Sequence, residues 1–311
     1  MKVAVAGGSG FLGRPLCEVY AEEGHEVVVL TRSLPPGAAE HEAGTGVPGI
    51  TRHGWTPDGQ IGPWAPAIEG ADAVVNLAGE SIAARRWSAA HKQRVHDSRV
   101  LATRSLAAAI LAAARPPRVF VSSSAVGYYG FVDQSEKTEA SPAGDDYLAD
   151  VCRDWEAEAR RASRPETRVV LLRSGIPLEL DGGVLPLMAM PFRFFVGGPV
   201  ASGRQAVSWI HRLDWVELVR WLAATDEAAG AFNATAPAPV TNRELSRAIA
   251  HALHRPSWLW TPAFPLRLVL GDMADALLIG GQRVVPARAL SMGFSFRYPE
   301  IDQALRAIYE T

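Results

Sequence analysis

Residues 2–13 read Lys-Val-Ala-Val-Ala-Gly-Gly-Ser-Gly-Phe-Leu-Gly. The first five form a short apolar run that is typical of a buried parallel strand, and a helical pattern follows the glycines to about Glu23. A second apolar run, at residues 26–30, completes a strand, loop, helix and strand in about 30 residues, the length of one βαβ unit. The stretch predicts a parallel sheet with a glycine loop (residues 7–13) at the carboxyl end of its first strand.

The glycine loop has its glycines at positions 7, 10 and 13, where each has a separate purpose. The first allows the tight turn, the second lets a pyrophosphate approach the backbone, and the third lets the helix pack against the sheet. The free N–H groups of the helix N-terminus favour phosphate. Arg14-Pro15 stands where a P-loop requires Lys followed by Ser or Thr, so the spacing indicates a dinucleotide site.

Further apolar runs at residues 72–77, 118–122 and 168–172 alternate with helical patterns at 88–114 and 146–163. This alternation predicts an α/β fold, a doubly wound parallel sheet with helices on both faces. After Ser174 the pattern changes to Gly and Pro punctuation with Met and Phe clusters. We expect a nucleotide-binding domain at 1–174, to which 207–235 returns, and a smaller substrate-binding part at 175–206 and 236–311, with the ligand between them.

Composition narrows the class of protein. The chain has 311 residues, 48% of them hydrophobic, and a formal net charge of −2. Near-neutral charge argues against a nucleic-acid or membrane partner, and no apolar run is long enough to span a bilayer. Cys17 and Cys152 make neither a disulfide framework nor a zinc site, so no metal is expected. We expect a soluble, cytoplasmic protein.

The end of the second strand indicates which dinucleotide binds. An NAD site places Asp or Glu there to hold the ribose 2′-hydroxyl, but this strand ends Leu30-Thr31-Arg32-Ser33. Arg32 is suited to pair with a 2′-phosphate. The sequence therefore predicts NADP(H) as the cofactor, with a solvated surface arginine as the alternative.

Several motifs resemble the short-chain dehydrogenase/reductase superfamily, extended type. They are the glycine loop, Asn76-Leu77-Ala78-Gly79, Ser122-Ser123-Ser124 and the segment Trp209 to Asp214. Other motifs resemble an atypical "epimerase family" subgroup of NAD(P)-dependent epimerase/dehydratase proteins, which carries a C-terminal domain of unknown function. These are Ala125 to Gly130, Cys152 to Glu156, Leu172 to Gly175, Pro239 to Asn242 and Gly293-Phe294.

The resemblance implies a Rossmann-type fold with NADP(H) on the carboxyl edge of its sheet. By position in the motifs, it implies pyrophosphate contacts in the loop, ribose contacts at the second strand, and further contacts along the coenzyme. The implied residues are Gly7, Ser9, Gly10, Phe11, Leu12, Thr31, Arg32, Leu77, Ala78, Gly79, Arg99, Ser122 and Pro177.

The resemblance also implies a catalytic Ser, Tyr and Lys, with the Lys four residues after the Tyr on one helix face. The Lys charge lowers the pKa of the Tyr so that it can exchange a proton near neutral pH. Ser124 is the expected serine, with Ser122 next, and Tyr147 fits the tyrosine position. Val151 stands where the Lys is required, and Lys92, in an earlier helix, is not expected to replace it.

Three readings follow from the missing lysine. In the first, an epimerase or dehydratase mechanism uses another base, such as Tyr128, Tyr129 or Glu80. In the second, the protein is a reductase, which needs only a proton donor. In the third, the chain binds NADP(H) as a redox-sensing regulator without turnover. The substrate is expected to be a small molecule, with a nucleotide-linked compound as one candidate. Arginines of the C-terminal part are then candidates to hold its diphosphate: Arg193, Arg204, Arg283 and Arg288. A homodimer is one candidate for the assembly.

Overall fold

The structure, a computed structural model, describes residues 1–34, 41–43, 48–130 and 135–310. Its strands are β1 (Lys2–Ala6), β2 (Glu26–Thr31), β3 (His41–Ala43), β4 (Ile50–Gly54), β5 (Ala73–Asn76), β6 (Val119–Ala125), β7 (Glu136–Lys137), β8 (Arg168–Ser174), β9 (Ile176–Leu178), β10 (Ala206–Val207), β11 (Trp209–His211), β12 (Gly230–Ala234), β13 (Val240–Thr241) and β14 (Arg283–Val284). Its helices are α1 (Gly13–Glu22), α2 (Ala89–Ala112), α3 (Tyr147–Arg160), α4 (Leu185–Arg193), α5 (Arg212–Ala224), α6 (Asn242–Ala252), α7 (Ala263–Leu270), α8 (Asp272–Ala274), α9 (Ala287–Ser291) and α10 (Ile301–Glu310).

The main sheet has eight strands in the order β12-β8-β6-β5-β1-β2-β4-β3. All pairs are parallel except β3 with β4 at one edge. Val3 and Val5 pack on one face of the sheet, and Ala4 and Ala6 on the other. Burial on both faces explains why these strands read as continuous apolar runs. The predicted doubly wound Rossmann-type α/β fold is confirmed.

Two details of the sheet differ from the sequence-based prediction. Ser122 to Ser124 lie inside β6 and not beyond it, because β6 pairs with β8 as far as Ala125 opposite Ser174. The backbone hydrogen bonds of this pairing keep the polar residues in the strand, whereas the apolar pattern alone predicts that the strand ends at Ser122. Between the predicted strands at 26–30 and 72–77 the sequence predicts no further strand, yet Ile50–Gly54 forms β4 beside β2. Its Thr, Arg and His residues hide the strand from a hydrophobicity pattern.

The last third of the chain contributes to two regions. α5 packs on the main sheet, and β12 joins its edge in parallel with β8. α4, α6 and α10 surround a separate apolar cluster together with Leu178 and Trp209. His211 stacks on Tyr298 with ring centroids 4.0 Å apart, so the segment that resembles a family motif ties these regions together. In the part of the chain that the structure describes, no helix has both the length and the apolar character that a membrane span needs.

Candidate functional site

The glycine loop turns sharply between β1 and α1. Gly7 has φ of 82°, and a Cβ on it would lie 2.9 Å from the carbonyl carbon of Leu77. A Cβ on Gly13 would lie 2.3 Å from the carbonyl oxygen of Gly7, so α1 can begin here only with glycine. No side chain caps the N-terminus of α1, and Ser9 and Gly10 are exposed. The loop therefore offers a cradle in which backbone N–H groups can receive a pyrophosphate.

Phe11 is the point where the C-terminal part meets this loop. Its ring lies so close to Gly182 and Gly183 that a Cβ on either would approach it within 3.0 Å. Arg14 binds the carboxylate of Asp181 at 2.8 Å, and Arg212 pairs with the same carboxylate. A turn that follows β9, and with it Pro177, is thereby held against the glycine loop.

The predicted ribose contacts lie at the carboxyl end of β2. Thr31 donates its hydroxyl to the carbonyl of Ser33 at 3.2 Å, which shapes the turn. Arg32 is exposed at this turn. Since β2 is adjacent and parallel to β1, Arg32 lies at the same edge of the sheet as the glycine loop. This is the placement that a 2′-phosphate of adenosine requires.

Asn76 organises the neighbouring strand ends, a role that the sequence analysis missed. It is fully buried, and its amide donates to the Thr103 hydroxyl at 2.8 Å and to the Ser122 hydroxyl at 3.4 Å. Its Oδ1 accepts from the Ala78 N–H at 3.2 Å. A buried amide with partners on three elements fixes the path of residues 77–79. Its position at the last residue of a buried strand was the available signal.

Arg99 holds residues 79–80, the segment that follows β5 at the carboxyl edge of the sheet. It donates from one nitrogen to the carbonyls of Glu80 and Val95, both at 2.9 Å, and its guanidinium lies beside Gly79 and over the Trp155 ring. Burial lowers the pKa of Arg99 from its ordinary value. Arg99 therefore places a half-buried positive charge next to the predicted coenzyme path.

Ser124 belongs to a buried ionic network. Its hydroxyl donates to Glu156 at 2.8 Å, and the same carboxylate receives two bonds from Arg173, at 2.7 and 2.9 Å. Burial opposes the charge of Arg173, but Glu156 more than compensates and raises the pKa of Arg173 above its ordinary value. In this structure the Ser124 hydroxyl is thus committed to a carboxylate of α3.

The tyrosines after β6 pack against the same arginine. The Arg173 guanidinium lies 3.4 Å from the centroid of the Tyr128 ring and donates to the Tyr129 hydroxyl at 3.0 Å. Tyr129 in turn donates to Asn233 at 2.7 Å, and burial raises its pKa to about 12. Glu80, the other candidate base, faces His91 at 3.5 Å and Arg94 at 3.6 Å. Tyr129 is therefore protonated at neutral pH and well placed for packing rather than for proton abstraction.

Tyr147 occupies the first turn of α3, in a different setting. Its hydroxyl donates to the carbonyl of Lys92 at 2.7 Å, and its ring meets Trp87 edge to face at 5.3 Å. The Lys92 ammonium lies 5.3 Å from the centroid of the Tyr147 ring. Lys92 lies near Tyr147 because the N-termini of α2 and α3 are side by side although they are far apart in sequence, a proximity that the sequence analysis did not anticipate.

Partial burial raises the pKa of Tyr147, and the charge of Arg99 only partly opposes that rise. A cavity of about 380 Å³ opens beside this residue. It is lined by Trp87, Lys92, Asp146, Tyr147 and Leu148 on one side and by residues from Asp272 to Gly280 on the other. Lys92 bridges the two sides through Asp272 at 3.2 Å. The cavity can hold a small molecule next to a protonated phenol and a cation.

Other sequence candidates have structural partners. Arg288 donates to the carbonyls of Ala229 and Ala231, and Arg283 donates to that of Pro239. These two arginines are therefore occupied by backbone carbonyls. Among the described residues, no group of three His, Cys, Asp or Glu side chains is placed to hold a metal ion.

Comparison with protein families places this geometry in context. Residues 3–234 match the model of the NAD-dependent epimerase/dehydratase family. This chain belongs to that family. Residues 261–308 match a second model, a domain of unknown function designated DUF1731. The epimerase/dehydratase match covers the glycine loop, all strands of the main sheet and the first turn of α3.

Relatives of this epimerase/dehydratase family member match over almost its whole length. The chloroplastic epimerase family protein SDR39U1 homolog of Arabidopsis thaliana is 40% identical over 100% of this chain and 87% of its own. Epimerase family protein YfhF of Bacillus subtilis is 36% identical over 98% of this chain and 97% of its own. The crystal structure of human epimerase family protein SDR39U1 (isoform 2) with NADPH superposes with a TM-score of 0.88, at 35% identity and full coverage of both chains.

Proposed function

We propose that this chain binds NADP(H) along the carboxyl edge of β1, β2 and β5. The glycine loop would hold the pyrophosphate through Gly10, Phe11 and Leu12, and Arg32 would hold the 2′-phosphate. The fit rests on the sharp turn of the loop, in which a side chain at Gly7 or Gly13 would clash with the backbone. The human relative that was crystallised with NADPH supports the choice of the phosphorylated coenzyme.

We further propose that the reaction is the reduction of a carbonyl group on a small molecule held in the cavity beside Tyr147. The nicotinamide supplies the hydride when the coenzyme is bound. The Tyr147 phenol donates its proton to the carbonyl oxygen, and solvent then reprotonates the phenolate. The raised pKa keeps Tyr147 protonated at neutral pH, which suits a proton donor better than a base. The observation that carries the proposal is the position of Tyr147 in the wall of the cavity, with the Lys92 ammonium 5.3 Å from the centroid of its ring.

Lys92 and Arg99 act on Tyr147 as positioning residues. The ammonium of Lys92 lies over the phenol ring, and Arg99 is the cation that opposes the burial-induced rise in its pKa. Both charges stabilise the phenolate that forms when the proton leaves. They take the place of the lysine that Val151 replaces, although they come from α2 and not from α3.

The test follows oxidation of NADPH with a panel of carbonyl compounds that includes nucleotide-linked keto sugars. Tyr147→Phe is expected to lower kcat by about 10²- to 10⁴-fold while coenzyme affinity stays unchanged. Lys92→Met is expected to lower kcat and to move the alkaline limb of the pH profile upward, because the phenolate loses a stabilising charge. Tyr309→Phe, on α10, is the matched control. A Tyr147→Phe variant as active as Tyr309→Phe would contradict the proposal.

The second candidate is an NADP(H)-binding regulator without turnover, and the state of Ser124 favours it. Its hydroxyl is bound to Glu156 inside the protein, and a substrate oxygen would have to compete with that carboxylate. Two results together would select this candidate. One is the absence of turnover across the panel, and the other is binding of a partner protein that differs between the NADPH-bound and the NADP⁺-bound chain. The cytoplasmic location, the small-molecule substrate and the assembly stay predictions.

A further inference from the structure

α7 is an apolar helix with one side that no other described residue covers. Its eight residues, Ala-Phe-Pro-Leu-Arg-Leu-Val-Leu, include no buried residue. Phe264 is 75% exposed and Leu268, one turn later, is 68% exposed. A helix with apolar side chains around most of its circumference normally lies in a core or against another surface. We therefore expect another molecule to cover the exposed side of α7.

The same surface continues into two neighbouring segments. Trp258 donates its ring N–H to the carbonyl of Phe195 at 3.1 Å, and Trp260 donates to that of Ala201. Thr261 bonds to Pro199, so the segment that leads into α7 runs along the one that follows α4. We name the exposed side chains of this surface the apolar patch: Phe194, Phe195, Trp258, Trp260, Phe264 and Leu268.

The charge around the apolar patch is of one sign. Residues 184–211 and 245–271 contain five arginines and no Asp or Glu. Arg193, Arg204 and Arg255 are exposed, and among the described residues no carboxylate lies within ion-pairing distance of them.

The acids that flank these segments are already bound. Glu244 accepts from Thr241 in the capping box of α6, Asp272 pairs with Lys92, and Asp275 pairs with Arg267. The patch is therefore apolar at its centre and basic at its rim. The net charge of −2, from which we expected no membrane partner, is a sum over the whole chain and does not describe this local surface.

This charge distribution discriminates between occupants. A second copy of the chain seated on the same patch would bring two basic rims together, which weakens association. A surface with Trp and Phe at its centre and Arg at its edge is the composition that enters the headgroup region of anionic bilayers. We propose that the apolar patch docks on an anionic membrane surface.

Docking there would have a consequence for the cavity. Gly271 joins α7 directly to α8, and Asp272 and Asp275 on that side line the cavity beside Tyr147. The cavity wall and the proposed membrane contact thus belong to one continuous segment, residues 263–280.

The test is co-sedimentation of the full chain with vesicles. Vesicles of phosphatidylcholine and phosphatidylglycerol in equal parts should retain the protein, whereas phosphatidylcholine alone should not. Binding should fall in 1 M salt, where the Debye length is only about 3 Å. The double variant Phe264→Ser/Leu268→Ser should bind at least about tenfold more weakly. Arg193→Gln and Arg255→Gln should each cost about fivefold.

The control variant is Ile61→Ser/Leu111→Ser, which removes two other exposed apolar side chains. It should bind like the wild type. Equal retention of this control and the Phe264→Ser/Leu268→Ser variant, or no binding to anionic vesicles, would overturn the proposal. So would a dimer in sedimentation velocity that the patch variant abolishes, because the patch would then belong to a second copy. If the patch variant fails to fold, as judged by circular dichroism, the two arginine variants decide the question.

Discussion

Arg173 and Glu156 form the most deeply buried ion pair that the structure describes. Both side chains are nearly inaccessible, and the guanidinium meets the carboxylate through two hydrogen bonds. Arg160 contacts the same carboxylate at 2.9 Å, but its side chain is 53% exposed. The two arginines therefore offer a comparison in which one carboxylate is shared, while its partner is buried and doubly bonded in one case and exposed and singly bonded in the other.

We predict that Arg173→Met lowers the free energy of unfolding by about 3–5 kcal/mol, because it leaves the buried Glu156 carboxylate with the exposed Arg160 as its remaining ionic partner. Arg160→Met should cost about 1 kcal/mol or less, since water screens that pair. Chemical denaturation followed by tryptophan fluorescence measures both values. Equal losses in the two variants would contradict the account of the buried network.

The glycine loop and the strand end beside it could be located from sequence, but the surroundings of Tyr147 could not. Gly7, Gly13 and Arg32 are recognisable because their roles depend on backbone shape and strand position within one βαβ unit. Lys92 reaches Tyr147 only because two helices start side by side, 55 residues apart in the chain. Glu156 of α3 pairs with Arg173 of β8, and no local sequence pattern predicts such a pair.

At the scale of elements, the glycine loop decides how α1 meets the sheet. An added methyl group on Gly13 would lie 2.3 Å from the Gly7 carbonyl oxygen, whereas one on Gly10 would lie 3.3 Å from the same atom. We predict that Gly13→Ala lowers the free energy of unfolding by about 1–3 kcal/mol and disrupts coenzyme binding.

Gly10→Ala is the matched control for the fold, because its methyl group needs a shift of only a few tenths of an ångström. It should retain most of the stability of the wild type and lose affinity for the coenzyme through the closer approach of a side chain. Thermal unfolding and coenzyme titration of both variants separate the two effects. A Gly13→Ala variant as stable as Gly10→Ala would contradict this account of helix packing.

Long elements with a clear period were predicted with ends close to those observed, and short polar ones were not. The 88–114 pattern corresponds to α2 at Ala89–Ala112. β4 and the short strands β9 to β11 have two to five residues each, and their register comes from neighbouring strands. Such elements are specified by tertiary pairing more than by their own residues.

At the scale of the whole molecule, residues 207–235 complete the core on one face of the main sheet. Val170 and Leu172 of β8 pack in the same cluster as Trp215 of α5 and Phe232 of β12. We predict that a chain of residues 1–174 alone shows no cooperative unfolding, because this face of its sheet is uncovered. The full chain should unfold in one transition.

Near-ultraviolet circular dichroism during heating tests that prediction, since the signal reports fixed packing of aromatic rings. A sharp transition in the 1–174 chain would show that the first part folds by itself. Residues 1–174 would then be a unit that is stable without the rest of the chain.

The central claim is that the edge formed by β1, β2 and β5 binds the phosphorylated coenzyme, and isothermal titration calorimetry tests it most directly. NADPH should bind one molecule per chain, about 10- to 100-fold more tightly than NADH, and Arg32→Glu should remove that preference. Absence of heat with both coenzymes, or tighter binding of NADH to the wild type, would contradict the claim.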